Sequence, residues 1–358
     1  FYVDHPAVAQ QYLTHNVQST STLKQLLPEL QQLEAIIQQD KQTHLRSKVL
    51  CRVSCEDDEL PIYALTLGNS AQDIPCVTYV AGIHGLERIG TQVVIAFLEG
   101  LLERLKWDRV LAEILQRVRI NILPLVNPVG MLNYTRANGR GVDLMRNAPV
   151  DSHEKTIWLA GGHRISSRLP WYRGKAGEVM QPEAKALCDF ITQDVLPAPF
   201  SLVLDCHSGF GFRNQIWFPY ARSRLEPIKH LKEVYYLRKL FMQTYPHQDY
   251  LFEPQSQHYL THGDLWDFLY SQSLESSNVF LPLTLEMGSW RWIRKNPLQL
   301  RQLLGLYHPI KPHRLNRVLR SHLILMEFLL HATLSYENWL NKSDAQELEQ
   351  QALAMWYS

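Results

Sequence analysis

His84 and Glu87 lie three residues apart, immediately after the apolar run Val77–Ile83. If Glu87 opens the following helix, the two side chains share one face and converge on one point. That is how two ligands of a catalytic zinc can be presented, with the third supplied from elsewhere in the fold. The chain repeats the spacing at His230-Leu-Lys-Glu233. There Lys229 and Lys232 flank the pair and no strand feeds it, so it reads as a solvated helix face.

Two other apolar runs end in the same kind of chemistry. Val203-Leu-Asp-Cys leads into His207, and Leu283-Thr-Leu leads into Glu286. In open α/β sheets, ligands bind beyond the carboxyl ends of strands. His84, Glu87 and His207 would offer two nitrogens and a carboxylate, leaving one metal position for water. A zinc-held water becomes a nucleophile near neutral pH. Glu286 would then act as the general base that does not bind the metal. Taken singly, His207 reads more readily as a hydrogen-bonded core histidine and Glu286 as a salt-bridge partner. Between these runs lies a polar stretch from Asn127-Pro-Val-Gly130 to Asn147. It holds Arg136, Arg140, Arg146 and Asp143, with Gly139 and Gly141 permitting tight loop geometry. Arg136 and Arg146 could clasp an anionic or carbonyl group, or simply face solvent.

Around these residues, residues 1–45 form a Gln-rich helical segment. Leu23, Leu26, Leu27, Leu30, Leu33, Ile36 and Ile37 keep a helical period, and Pro28 starts a fresh helix. Its simplest role is to cover the main domain. Val49–Val53 and Ile62–Leu67 read as a hairpin turning at 56–59. Then strands (77–83, 118–126, 201–204, 279–285) alternate with helices (89–105, 183–191), and a long helix over 315–340 follows. This alternation predicts an α/β three-layer sandwich around a mixed, largely parallel sheet. The expected organisation is an N-terminal helical segment (1–45), a catalytic domain (46–340) and a polar helical tail (341–358).

The 358 residues, 46% hydrophobic and 20% charged, can bury a full-size core. A formal net charge of +1 gives no electrostatic footprint for nucleic acid or anionic membrane. The apolar stretch 323–334 is too short to span a bilayer. Five cysteines, without paired metal spacing, fit a reducing, cytoplasmic setting. No signal peptide is visible, although the chain begins at Phe1 and a processed or truncated start stays open.

The ordered motifs resemble those of the zinc carboxypeptidases, including bacterial murein-peptide amidases, over residues 46–335. They are His-x-x-Glu after a strand, Asn-Pro-x-Gly, Thr135-Arg-x-Asn-x-x-Gly-Val-Asp-Leu-x-Arg-Asn147, Tyr172-Arg-Gly-Lys followed by Glu183, Asp-x-His-Ser, and Thr-x-Glu. The resemblance implies one Zn²⁺ per chain, held by His84, Glu87 and His207, and Glu286 as catalytic glutamate. Asp143 would orient a ligand histidine. Arg136 would polarise the scissile carbonyl, Arg146 would hold a substrate carboxylate, and Tyr259 would cap the bound substrate. The partner implied is a peptide or small amide, with no nucleic acid or membrane.

Met145 departs from the pattern, standing where the family usually has asparagine, and a thioether cannot donate a hydrogen bond. Losing one bond to a charged group would weaken the grip on a free carboxylate by about 1.5–3 kcal/mol. A metal-dependent peptidase or amidase therefore stands beside two alternatives. One is an N-acyl amino-acid deacylase of the aspartoacylase or desuccinylase kind, and the other is a metal-binding protein without turnover. Cys206 breaks a Gly-x-Ser-x-Gly around Ser208, and no Walker loop occurs, so serine-hydrolase and nucleotide-binding readings lack support. The basic-aromatic stretch 289–295 reads as a packed loop.

Overall fold

The computed structural model describes residues 26–40, 43–56, 58–301, 304–340 and 344–358. Leu23, with the remainder of 1–25, lies outside them. Eight strands form one mixed sheet in the order β1-β2-β4-β3-β5-β8-β6-β7. β1 (Arg46–Cys55) and β2 (Asp58–Gly68) make the anticipated hairpin. β3 (Cys76–Ala81), β4 (Arg119–Leu123), β5 (Phe200–Ser208) and β8 (Val279–Met287) run parallel at the centre. β6 (Asn214–Phe218) and β7 (Tyr250–Pro254), five residues each, carry too short a pattern to have been anticipated.

The central strands are buried on both faces, as parallel strands between helical layers must be. Side chains alternate along β3. Tyr79 packs on Phe97 and donates to the Met326 carbonyl at 2.7 Å, on the layer formed by helices 88–105 and 312–334. Cys76, three residues earlier, meets the carbonyl of Val195 in the opposite layer. Helices therefore cover both faces, giving the expected three layers.

Two element ends fall short of the expected ones for a physical reason. β4 stops at Leu123 because Pro124 has no N–H for the ladder; Val126 and Asn127 instead donate to Ala81 and Gly82. The long helix ends at Leu334 rather than Leu340. Ser335 leaves helical geometry, and Trp339, in the short helix 336–340, donates back to the Ala332 carbonyl. The tail helix 345–356 buries Leu348, Ala352 and Trp356 against the domain, so it is less polar in use than in composition.

Candidate active site

Because β3, β5 and β8 are parallel, their carboxyl ends reach one edge of the sheet. His207 and Glu286 are register partners on neighbouring strands. After β3 the chain turns through His84–Glu87, and Glu87 is the N-cap residue of helix 88–105. This turn is pinned from behind. Asn127 caps helix 128–132 by accepting from Gly130 at 2.8 Å, while its amide donates to the Ile83 carbonyl at 3.1 Å. A side chain at Gly85 would come within 2.0 Å of the Gly130 backbone, so only glycine fits.

The three sequence-chosen ligands meet. His84, Glu87 and His207 are buried, and one ligand atom from each lies within 4.8 Å of the others. His84 Nδ1 is 2.9 Å from Glu87 Oε1. His207 Nδ1 is 2.9 Å from Glu87 Oε2 and 3.1 Å from His84 Nδ1. On the far side of each ring, Nε2 faces a carboxylate: Asp143 at 3.1 Å for His84 and Asp205 at 2.6 Å for His207. A carboxylate oxygen accepts, so Nε2 carries the proton in each ring. Both Nδ1 lone pairs then point at each other and at an anionic carboxylate. That tautomer aims three donor atoms at one point, and two imidazoles with a carboxylate are a donor set that zinc accepts. The residues present fit a metal.

The electrostatics agree. Burial alone would raise the Glu87 pKa, but His84 and His207 outweigh it and hold the carboxyl well below its usual range. Burial would likewise raise Asp143, yet the charges of Arg136 and Arg146 and its contact with His84 keep it ionised well below that range. Glu286 moves the other way. Its burial, reinforced by the Glu87 charge, pushes its carboxyl up to about 8, and its Oε2 is buried without a hydrogen-bond partner among the described residues.

Asp143 organises the second half of the site. Its Oδ1 accepts from the Met145 N–H as well as facing His84, and its Oδ2 accepts from Arg136 Nε and Arg146 Nη1, both at 2.9 Å. Arg136 Nη1 also reaches Glu87 Oε1 at 3.4 Å, so this arginine borders the metal cradle. Arg146 is fixed further by the Ala160 carbonyl. Gly263 has φ +73, and a Cβ there would lie 1.9 Å from the Arg146 carbonyl. That contact draws the 259–264 segment against the arginine. Tyr259 lines the same cavity of about 1080 Å³ as Glu286, Arg136, Arg146 and Met145.

The structure therefore gathers every site residue anticipated from the sequence. It also adds three that were missed. Asp205 backs His207, and its place two residues earlier on the strand was the available signal. Asp264, buried in the cavity lining, caps helix 265–273 and has its carboxyl pushed up to about 6 by burial. Tyr307 lines the cavity near Ser208, whose hydroxyl donates to its carbonyl at 2.8 Å. No local pattern marks Tyr307. Two readings need correction. His230 and Glu233 are not solvated but buried, and the Tyr270 hydroxyl lies 2.9 Å from His230 Nδ1. The 289–295 stretch is a short helix from Trp290 to Lys295, and Trp290 lines the cavity.

The zinc carboxypeptidase family model matches residues 53–289. The chain belongs to the zinc carboxypeptidase family. That family is zinc-dependent, and the His-Glu-His group is compatible with one metal site. Carboxypeptidase D of Anas platyrhynchos is 26% identical over 49% of this chain and 12% of its own length. Carboxypeptidase SOL1 of Arabidopsis thaliana is 21% identical over 66% of this chain and 45% of its own. The chain thus spans less than half the length of these relatives. Among solved structures, bovine thrombin-activatable fibrinolysis inhibitor, in complex with a tick carboxypeptidase inhibitor, has a TM-score of 0.63. It is 17% identical, covering 89% of this chain and 98% of that one. Carboxypeptidase A from Helicoverpa armigera has a TM-score of 0.61 at 17% identity, covering 85% of this chain and 71% of that one. These structural likenesses establish the fold. No helix among the described residues is long and apolar enough to cross a membrane.

Proposed function

We propose that this chain hydrolyses a peptide or related amide bond, with zinc held by His84, Glu87 and His207 and with Glu286 as general base. The observation that carries the reading is the position of Glu286. It is a buried carboxylate beside the ligand cluster, it stays outside that cluster, and one of its oxygens has no partner among the described residues. When bound, zinc supplies Lewis-acid chemistry that lowers the pKa of a coordinated water from 15.7 to roughly 7. Glu286 would take a proton from the attacking water and pass it to the leaving amine. Arg136 stabilises negative charge developing on the carbonyl oxygen. Asp143 and Asp205 hold the two imidazoles in the tautomer that presents Nδ1.

Arg146 would receive the substrate carboxylate, with Tyr259 closing over it. Arg146 shares its charge with Asp143 and with nearby Asp264, and Met145 offers no donor beside it. A weak grip on a free C-terminal carboxylate follows, which keeps amidase and N-acyl amino-acid deacylase substrates beside ordinary peptides. The deciding experiment screens peptides, murein fragments and N-acyl amino acids, with zinc measured on the same sample. Chelator-sensitive cleavage of peptides or murein amides supports the proposal. Cleavage of N-acyl amino acids alone replaces it with the deacylase reading. Bound zinc with no turnover on any substrate overturns it.

A further inference from the structure

The helix Pro28–Asp40 lies outside the family match, yet it reaches the metal turn through one buried contact. Glu29 accepts two bonds from Arg88, one from Nε at 2.9 Å and one from Nη2, and both residues are about 2% exposed. Gln92 also donates to Glu29. Arg88 directly follows Glu87 in the chain. Its Nη1 donates to the Met131 carbonyl, and its guanidinium sits 5.2 Å from the centre of the Tyr134 ring. Met131 lies in the last turn of helix 128–132, and Tyr134 opens the loop that carries Arg136. His308, adjacent to cavity-lining Tyr307, is close enough to feel both charges of the pair.

The helix does not need this ion pair for adhesion. Leu27 and Leu30 already join a buried cluster with Leu60, Ile62, Val129 and Met131. A buried ion pair carries a desolvation cost that apolar side chains of similar volume avoid, and its best-attested benefit is fixing one geometry over others. We propose that Glu29 and Arg88 are positioning residues. Through them the N-terminal helix fixes the 84–88 turn, which bears two metal ligands, and the 131–136 segment, which bears Arg136. The catalytic half of this inference rests on the hydrolase reading; the metal half does not.

The experiment compares Glu29→Gln and the apolar replacement E29L/R88M with the unaltered full-length protein. For each, it records melting temperature, the rate of zinc release to a chelator, and kcat and KM on the amide that the unaltered protein cleaves fastest. Glu29→Gln leaves a buried guanidinium without its anion, so some loss of stability is expected under any account. The double replacement is the discriminating case. A positioning role predicts recovered melting temperature but zinc released about tenfold faster and kcat down about tenfold, the lower end of what ligand-supporting contacts contribute. KM would stay within a factor of about two, because the substrate-carboxylate side is untouched. Unaltered zinc release and kcat in a well-folded double variant would overturn the proposal. If the unaltered protein cleaves no amide, the hydrolase reading fails, while the zinc-release rates still decide whether the pair positions the metal turn.

Discussion

His84-x-x-Glu87 and His230-x-x-Glu233 have the same residues at the same spacing, and the fold buries both pairs. Their surroundings make them chemical opposites. At the first, Asp143 and Asp205 stand behind the imidazoles, and a second histidine comes in from β5. Glu87 is held ionised, and the His207 pKa is raised well above its usual value, the Asp205 and Glu87 charges outweighing the effect of burial. At the second, burial with Lys229 and Lys232 nearby pushes His230 down to about 4, and burial raises Glu233. There the Tyr270 hydroxyl accepts from the His230 main-chain N–H at 3.1 Å and can give its own proton to Nδ1. The first pair is built around charge, whereas in the second the histidine is held neutral. Spacing places two side chains on one face; the carboxylates behind them decide whether they can serve a cation.

The largest test of this contrast is metal content. His207→Ala removes the ligand that the second pair lacks, and the protein should lose stoichiometric zinc and all turnover. His230→Ala should keep one zinc per chain and full activity. Its cost should appear as about 1–3 kcal/mol of stability, from the lost Tyr270 contact and the space left behind. Elemental analysis and denaturant titration on both variants measure this. Zinc loss in His230→Ala would place the metal at the wrong pair.

Within the first pair's surroundings, charge can be removed without removing a ligand. Glu286→Gln should retain zinc while kcat falls by about 10²–10⁴. Arg136→Met should lower kcat by about 10²–10³ through loss of oxyanion stabilisation. Asp205→Asn, which cannot hold the His207 Nε2 proton as a carboxylate does, should weaken zinc binding by about 10–100-fold. Competitive chelator titration with steady-state kinetics separates the three. An Asp205→Asn protein with unchanged zinc affinity would show that the carboxylates behind the rings are not what distinguishes the two sites.

Much of this arrangement was legible in the chain because it is local or repeats with the backbone. Strand ends marked His84, His207 and Glu286, and motif order marked Arg136, Asp143, Arg146 and Tyr259. The sheet then did what parallel strands must, bringing their carboxyl ends together. What escaped was set by contacts distant in sequence. Tyr270, forty residues beyond His230, hydrogen-bonds to a helix start that looks solvated in the sequence and is buried in the fold. β6 and β7 owe their strand state to pairing with β8 and with each other rather than to their own five-residue patterns. The Glu29–Arg88 pair joins residues 59 apart whose types carry no mutual signal.

The smallest expected effect is a pH dependence that follows from the neutral histidine of the second pair. His230 titrates near 6.5 when unfolded and near 4 when folded, because burial disfavours its charged form. Between those values the unfolded chain binds a proton that the folded one refuses, so stability contributed by this residue is full above pH 6.5 and declines as pH falls toward 4. His308 and His322, lowered by burial to about 4 and about 3, add to the same acid limb. His230→Asn should therefore remove only one proton's share, flattening the slope of unfolding free energy by at most about 1.4 kcal/mol per pH unit. Denaturant melts of the metal-free protein at intervals from pH 4 to 7 would show it. A slope unchanged by the substitution would mean that His230 is already charged in the fold. The contrast between the two histidine–glutamate pairs would then be one of position alone.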